Sequence, residues 1–468
     1  MGQVLAVDFG STYTKVAAFD LENERLVGVA KSGTTVESDI TIGLEKALEL
    51  LRESIGESEL EIERIFSSSS AAGGLRMVVA GFTNELTTKA AKEAALGAGA
   101  KVVGTYPNGI SAEDCLAIEK TSPDLILLTG GTDGGNKQVV LHNAEVLAAS
   151  RLEVPFIIAG NKMASGQALE MLVSAGKYAV IAENVLPELS VLNIEPTRNA
   201  IREVFMRRIT FAKGLEKAQA IASEPIIPTP LAVLKGAALL VTGAGDEAGF
   251  GELMVVDVGG ATTDVISVAH GRPASSNAIV KGITEPYEKR TVEGDLGIRY
   301  NALSILEVAG ADMVRRKIRT ISGEAPEVAV LQELAENLTE DVGCTPKTEF
   351  DYLMDAGLAS AAVDIATRRH AGTIEEVYFP SGAVRIQRGK DLTEVKCVIG
   401  TGGIFAYNEN QRHILSSACF DSNFPESLRP TMPECYADES YILYALGLLA
   451  GFAPEKALKI MKRHLKRV

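Results

Sequence analysis

Two stretches of the chain decide the fold: residues 3–15 read QVLAVDFGSTYTK and residues 253–264 read LMVVDVGGATTD. In each, an apolar run typical of a strand buried on both faces reaches an aspartate, passes through a glycine-containing turn and enters a second apolar run. Each stretch therefore predicts two strands joined by a tight turn. The stretches start 250 residues apart, which indicates that one strand–turn–strand unit opens each half of the chain.

Both turns carry the chemical groups that a nucleoside triphosphate requires. Glycines let the backbone approach the phosphates with its N–H groups pointing inward, hydroxyls add donors, and an aspartate at the strand end can hold Mg²⁺ or its water shell. One such turn alone also suits an ordinary hairpin with a structural aspartate. Two copies, followed by a third glycine-rich turn after a predicted strand at residues 395–399, favour a phosphate site.

The three turns supply the predicted site residues. We expect Asp8 and Asp257 to be catalytic, and the same two aspartates together with Asp264 to be the Mg²⁺ ligands. The residues expected to bind ATP or ADP come from all three turns: Gly10, Ser11, Thr12 and Lys15; Gly259, Gly260, Thr262 and Thr263; and Gly400, Gly402 and Gly403.

Between the repeated stretches, predicted strands and helices alternate, which indicates a parallel sheet covered by helices. The expected strands are Met77–Gly81, Lys101–Thr105, Leu125–Thr129, Pro155–Ala159 and Lys177–Ala182, with helices that include Glu85–Gly97, Ala112–Lys120, Asn143–Leu152 and Ser165–Gly176.

The remaining segments are predicted from their composition and periodicity. The composition of Ser67–Gly74 favours a flexible connector over the alternative, a tight functional loop. A helix is expected at Ile42–Ser54, and the chain is expected to be helical from about Ser440 onward.

Composition limits the possible functions. The chain has 468 residues, 46% of them hydrophobic, and a net charge of −15, which excludes a disordered chain and argues against a general nucleic-acid-binding surface. The five scattered cysteines fit a reducing cytosol, and the isolated histidines form no metal-ligand pattern. The N-terminus lacks an export signal, and the apolar run 441–453 is shorter than the roughly 20 residues that cross a bilayer.

Taken together, the turns resemble the motifs of the actin, heat-shock-70 and sugar-kinase ATPases. VLAVDFGSTYTK and MVVDVGGATTDV are similar to the two phosphate motifs of this superfamily, and VIGTGGIF to its adenosine motif. Glu293–Gly297 and the small-residue helix Tyr441–Ala450 take the places of its connecting segments. The resemblance implies an α/β fold with two actin-like (RNase-H-like) domains that close on Mg-ATP.

A narrower resemblance covers nearly the whole chain. SSSAAGGL (68–75), LLTGGTDGG (127–135), IIAGN (157–161) and EGDLG (293–297) occur in the order seen in the glutamate mutase accessory family. This family is called MutL-type after the mutase operon and not after mismatch repair. The resemblance implies an ATP-dependent reactivating chaperone for an adenosylcobalamin-dependent mutase or aminomutase. That enzyme is the expected partner, and the cytoplasm is the expected location.

The resemblance also predicts the domain organisation. Domain I is expected from residues 1–66, about 186–250 and 438–468, the inserted α/β block from 67–185, and domain II from 251–437. Neither nucleic acid nor a membrane is an expected partner, and a homo-oligomer is left open.

Three other functions fit parts of the sequence. A small-molecule kinase of the same fold needs a further carboxylate beside its acceptor, for which Asp133 is the candidate. A membrane-bound filament protein would use the amphipathic basic segment 456–468. A dehydratase activator of this fold needs cysteines that converge on an iron–sulfur cluster, but the chain has none between Cys115 and Cys344.

Overall fold

The computed structural model describes residues 2–10, 13–33, 35, 39–56, 60–69, 76–83, 86–98, 100–189, 191–209, 215–273, 278–379 and 382–468. The chain divides into two compact units. The first comprises Met1–Val233 with Gly282–Pro286, and the second comprises Leu234–Lys281 with Tyr287–Val468.

The first unit opens with three strands and a helix, of which the first two strands and the helix are predicted from the sequence. The strands β1 and β2 pair antiparallel, as do β2 and β3, and β4 returns parallel to β1. Leu44, Ala47 and Leu51 line the buried face of the helix, whose first turn is capped by the Asp39 carboxylate. The bounds are β1 Gln3–Phe9, β2 Tyr13–Asp20, β3 Arg25–Gly33, α1 Ile40–Ile55 and β4 Ile62–Ser69.

The predicted α/β block follows, and its five strands form one parallel sheet in the order β6-β5-β7-β8-β9. The fourth helix of the chain begins at Gln138 and not at Asn143 as predicted, because the Asn136 side chain accepts a hydrogen bond from the Val139 N–H and starts the helix early. The bounds are β5 Arg76–Gly81, α2 Thr87–Gly97, β6 Lys101–Pro107, α3 Ala112–Lys120, β7 Leu125–Leu128, α4 Gln138–Ala148, β8 Phe156–Ile158, α5 Lys162–Ser174 and β9 Ala179–Ile181.

The first unit closes with a short fifth strand on its first sheet. This strand, β10, pairs parallel to β4, which makes the sheet order β10-β4-β1-β2-β3. One hydrophobic core joins this sheet to the inserted block, since Leu5 and Val7 of β1 share it with Ala94 of α2 and Leu127 of β7. The bounds are α6 Glu195–Ile209, α7 Leu215–Ile221, β10 Ile227–Pro228 and α8 Thr229–Thr242, and the boundary between the units falls within α8.

The second unit has a six-stranded sheet, β14-β12-β11-β17-β18-β19, and a small sheet, β13-β16-β15. Its core is built around the long helix α12, which packs on the strands β11 and β12. The bounds are β11 Leu253–Val258, β12 Thr263–Val268, β13 Ala278–Lys281, β14 Glu288–Glu293, α9 Ala302–Ala309, α10 Ala311–Ser322, α11 Val328–Glu340, α12 Glu349–His370, β15 Thr373–Phe379, β16 Gly382–Arg388, β17 Cys397–Thr401, α13 Gly403–Tyr407, α14 Gln411–Ser416, β18 Glu434–Asp438, α15 Leu443–Leu448, α16 Pro454–His464 and β19 Leu465–Arg467.

The main sheets of the two units repeat one topology. In each, three neighbouring strands pair antiparallel, and two later strands extend the sheet in parallel from the first of them. These are β4 and then β10 next to β1, and β17 and then β18 next to β11. This repeat confirms the predicted fold class, an α/β protein with two actin-like (RNase-H-like) sheets and an inserted α/β block.

Two predictions about segments are wrong. The segment from Ser67 is not a connector up to Ser69, because these serines complete the buried strand β4; residues 70–74 lie outside the described residues. The C-terminus is not helical throughout, because Leu465–Arg467 form β19, which pairs with β18. That pairing joins the C-terminal strand to the main sheet of the second unit.

Candidate functional site

The first turn has the hairpin geometry that the sequence predicts. The Gly10 N–H donates to the Tyr13 carbonyl at 3.0 Å, which closes the turn between β1 and β2. A Cβ on Gly10 would lie 2.5 Å from that carbonyl oxygen, so the close turn requires glycine. Ser11 and Thr12, both predicted to bind nucleotide, lie outside the described residues.

Three side chains from three different strands or helices hold the carboxylate of Asp8 at the end of β1. Its Oδ1 accepts hydrogen bonds from Ser68 Oγ at 3.0 Å and from Thr229 Oγ1 at 2.5 Å, and its Oδ2 accepts from Lys15 Nζ at 3.2 Å. Only 1% of Asp8 is exposed. A carboxylate has about four lone-pair positions, so this arrangement leaves one for a further donor.

The second turn repeats the first. The Gly259 N–H donates to the Thr262 carbonyl at 2.9 Å, which is the same bond at the equivalent position. Asp257 and Asp264 lie directly opposite each other on β11 and β12, as Asp8 and Lys15 do on β1 and β2. The position of the Lys15 ammonium in the first unit is therefore taken by a carboxylate in the second.

Two residues predicted at the second turn have structural contacts. Asp264, a predicted Mg²⁺ ligand, forms a buried ion pair with Arg290 at 2.9 Å. The Thr263 hydroxyl, a predicted nucleotide contact, donates to the Leu296 carbonyl at 2.7 Å in the buried interior. The nucleotide-binding role of Asp257 and of the backbone of this turn stays a prediction.

The segment 298–299, which directly follows EGDLG (293–297), covers the second turn. Backbone N–H groups of Ile298 and Arg299 donate to the carbonyls of Gly259 and Gly260, at 3.2 and 2.9 Å. The Arg299 guanidinium in turn forms a two-pronged ion pair with Asp355 of α12, at 2.7 and 2.9 Å. Burial raises the pKa of Asp355 despite this pairing. The segment therefore anchors the turn to the central helix of the second unit.

The third turn lies beside the second. A Cβ on Gly402, whose φ is 104°, would lie 2.5 Å from the Val258 carbonyl oxygen and 2.9 Å from Asp257 Oδ1. Gly400 is required for packing, since its Cβ would meet the Phe405 ring at 2.5 Å, whereas a Cβ on Gly403 has no neighbour within 4 Å. Of the three predicted adenosine-binding glycines, Gly403 is therefore the one with open space above its Cα.

Sequence reasoning missed the hydroxyl residue that pairs with the aspartate on the neighbouring parallel strand in each main sheet. Ser68 pairs in register with Asp8, and Thr401 pairs in register with Asp257, so the two hydroxyl residues are equivalent. Thr401 donates to Asp438 at 2.9 Å. Burial raises the pKa of Asp438, although backbone N–H groups of Ile442 and Leu443 also donate to it. The repeated topology is the signal that could have identified the pair.

The described residues contain no group of three or more His, Cys, Asp and Glu side chains arranged to hold a metal ion. Asp8 belongs to the first unit, and Asp257 and Asp264 belong to the second. The Mg²⁺ site that the sequence builds from all three aspartates stays a prediction.

The kinase alternative can be checked against the contacts of Asp133, the residue that it requires. Asp133, the candidate kinase base, accepts hydrogen bonds from the Lys162 N–H at 3.1 Å and Asn184 Nδ2 at 2.9 Å. Burial acts to raise the pKa of Asp133, but these bonds and the Lys162 charge outweigh it and lower the value. A carboxylate whose pKa is lowered is a weaker base, and this disfavours the kinase role.

The C-terminal helix buries the face that a membrane anchor would expose. Leu458 and Met461 of α16 are 0% and 2% exposed, and both belong to the interior of the protein. Among the described residues, no helix is both long and apolar enough to span a bilayer.

Comparison with known proteins assigns the chain to a family. A family model described as MutL protein matches residues 4–465. Protein MutL of Clostridium tetanomorphum is 44% identical over 470 residues, covering 100% of both chains. Among solved structures, the activator of the 2-hydroxyisocaproyl-CoA dehydratase from Clostridium difficile is 11% identical, covers 98% of this chain and 97% of its own, and has a TM-score of 0.31.

The gluconate kinase from Lactobacillus acidophilus is also 11% identical, covers 100% of this chain and 92% of its own, and has a TM-score of 0.32. These two structures have different functions at the same low similarity, so the assignment rests on the sequence comparisons. The family model matches nearly the full length of the chain, and the relative is similar over its whole length. Both confirm the narrower resemblance seen in the motifs: the chain belongs to the MutL protein family.

Proposed function

We propose that this protein is an ATP-dependent accessory protein that reactivates an adenosylcobalamin-dependent mutase or aminomutase. Membership of the MutL family supports the accessory role. The observation that carries the ATPase part is the Asp8 carboxylate, which lies at the end of a hairpin strand and is held by hydroxyl and ammonium donors with one acceptor position remaining.

Each unit supplies groups that we assign to ATP or to its Mg²⁺. In the first unit, Lys15 supplies a positive charge next to the turn, and the Asp8 carboxylate would accept hydrogen bonds from water in a hydrated Mg²⁺ shell. In the second unit, the backbone at Gly403 offers space for the nucleoside. Bound ATP supplies a phosphoanhydride bond whose cleavage can be coupled to a change of protein conformation.

The chemical role of each residue follows from its contacts. Ser68 and Thr229 fix the Asp8 carboxylate in one orientation, so that it does not have to reorganise as charge develops. Lys15 offsets negative charge close to Asp8. Asp257 occupies the equivalent position of the second hairpin and is our second candidate for orienting the attacking water.

Reactivation requires that the client enzyme bind differently in the two nucleotide states, because a partner that binds both equally shifts no equilibrium. The inserted block is the natural candidate for the client contact, since its strands belong to neither of the two actin-like sheets. It is a folded platform with its own five-stranded sheet and core.

The test uses the full-length protein and a mutase inactivated by turnover or by cyanocobalamin. We expect activity to return only with ATP, Mg²⁺ and fresh adenosylcobalamin, and the mutase to co-purify more strongly in ADP than in ATP. Asp8→Ala should abolish recovery, whereas Asp133→Asn should retain it. If activity never returns and no mutase binds in either nucleotide state, the chaperone function is wrong, and small hydroxyl and carboxylate acceptors should be screened for phosphorylation.

A further inference from the structure

The second unit contains a buried cluster of charged side chains for which the proposed ATPase has no use. Asp364 of α12 lies at its centre, with a side chain that is 1% exposed. Its Oδ1 accepts hydrogen bonds from Arg368 Nε at 2.8 Å and from Arg429 Nη1 at 3.3 Å. Lys317 Nζ of α10 lies 2.9 Å from Asp364 Oδ2, an ion contact without the alignment of a hydrogen bond. Three positive charges therefore meet at one carboxylate.

A second carboxylate near the cluster does not balance these charges. Asp421 accepts two hydrogen bonds from Asn423, through its backbone N–H and its Nδ2. Burial acts to raise the pKa of Asp421, but these bonds and the charges of Arg429 and Lys317 lower it. With both carboxylates counted, one positive charge remains in excess. Buried charges are ordinarily paired, so the excess favours an anionic ligand at this place.

The contacts of Arg429 indicate which kind of anion suits the cluster. Its side chain is fully buried, and Nη1 donates to Asp364 and to the Ser417 carbonyl at 3.2 Å. The adjacent nitrogens Nε and Nη2 are buried, and neither has a hydrogen-bond partner among the residues that the structure describes. These two nitrogens form one edge of the guanidinium, which can bind a carboxylate or a phosphate through two parallel hydrogen bonds.

Arg368 forms the solvent side of the cluster. Its side chain is 27% exposed, and that of Lys317 is 21% exposed. The Arg368 guanidinium stacks on the Phe424 ring, with Cζ 4.0 Å from the ring centroid. Stacking covers the flat face of the guanidinium, and Nε bonds to Asp364, so the terminal nitrogens can donate to a ligand. Because Arg368 and Arg429 bond to the same oxygen of Asp364, their guanidinium groups are neighbours.

We propose that this cluster is a binding site for an oxyanion, either a carboxylate or a phosphate group. The unpaired edge of Arg429 binds the oxyanion, and Arg368 and Lys317 add positive charge from the solvent side. Asp364 keeps the three cations together. The oxyanion reaches Arg429 when the long side chains of Arg368 and Lys317 move aside, a motion that exposed side chains make readily.

The experiment titrates the full-length protein with sodium phosphate and, separately, with sodium acetate in a calorimeter. Chloride keeps the ionic strength constant, and saturating ADP occupies the candidate nucleotide site. We expect binding, and the tighter of the two anions identifies the group that the site prefers. Arg429→Lys keeps the positive charge and loses the two-nitrogen edge, so it should weaken binding about tenfold or more, the equivalent of one hydrogen bond to a charged group.

Neighbouring positions on α10 provide a matched control. Lys317→Gln removes a charge from the cluster and should weaken binding. Arg316→Gln removes the same charge from the exposed position beside it and should bind as the wild type does. Circular dichroism melting checks that each variant is folded. If Arg429→Lys does not fold, Lys317→Gln and Arg368→Gln, both at partly exposed positions, still test the site.

Three outcomes would overturn the inference. One is that neither phosphate nor acetate binds to the wild type. Another is that Lys317→Gln and Arg368→Gln are folded and bind the anion with wild-type affinity. The third is that the anion binds only after Asp421→Asn, since Asp421 itself would then be the anion of the cluster. None of these results depends on ATP hydrolysis, so failure of this inference is distinct from failure of the proposed function.

Discussion

Ser68→Ala tests whether the hydroxyl beside Asp8 positions the carboxylate for ATP hydrolysis. Ser68 is fully buried, and its Oγ donates to Asp8 Oδ1 at 3.0 Å. A hydrogen bond to a charged group contributes about 1.5–3 kcal/mol. If that full amount stabilised only the transition state, kcat/KM would fall about 10- to 150-fold, because each 1.36 kcal/mol is a factor of ten. Thr229 and Lys15 still hold Asp8, so we expect a loss near the lower limit, about tenfold.

The neighbouring serine provides a matched control. Ser69 lies on the same strand, points to the opposite face, and donates to the neutral Phe9 carbonyl at 3.3 Å. Ser69→Ala should lower stability by about 0.5–1.5 kcal/mol, the range for a hydrogen bond between neutral groups, and leave ATP turnover unchanged. Steady-state phosphate release measures turnover, and urea unfolding measures stability.

The reasoning about Ser68 is refuted if the Ser68→Ala protein is folded and hydrolyses ATP at the wild-type rate. It is also refuted if Ser69→Ala reduces turnover as much as Ser68→Ala does, since the effect would then be a general loosening of β4. Thr229→Val, which removes the other hydroxyl without changing shape, should give a loss of turnover of similar size.

Asp257→Ala should lower ATP turnover at least about a hundredfold, by analogy with the removal of other groups that stabilise a transition state, and a wild-type rate would defeat the assignment. Gly402→Val should weaken the binding of ATP and ADP in calorimetry, because its Cβ would lie 2.5 Å from the Val258 carbonyl oxygen. Gly403→Ala places its Cβ where no protein atom lies within 4 Å, so it should weaken the binding of both nucleotides without loss of thermal stability. Unchanged affinity in both variants would remove this turn from the site. Thr348→Ala should cost about 1 kcal/mol in urea unfolding, because Thr348 caps α12 through the Asp351 N–H. Backbone N–H groups of Lys347 and Thr348 lower the pKa of Asp351 below its ordinary value of 3.8. The stabilisation that the Asp351 carboxylate contributes is therefore complete above that value and is lost as the pH falls through the lower folded-state pKa. Asp351→Asn should reduce this acid-dependent loss of stability, and an unchanged pH profile would show that the cap has no such role.

The elements that are encoded locally could be read from the sequence. The hairpins at Gly10 and Gly259 were predictable because a tight turn depends on glycine within a few residues of the two strands it joins. The alternation of the inserted block was predictable for a similar reason, since buried parallel strands are continuous apolar runs and the helices between them have their own period. The family motifs lie in these same elements, and the match over residues 4–465 follows them.

Only the tertiary structure decided which side chains meet across the sheets. Ser68 and Thr229 reach Asp8 from 60 and 221 positions away along the chain, and composition made the first of them look like part of a connector. The C-terminal strand β19 has the same origin, since it pairs with β18. Strand register and the packing of distant segments set these contacts, and register depends on the whole sheet because a shift by one residue turns every side chain to the other face.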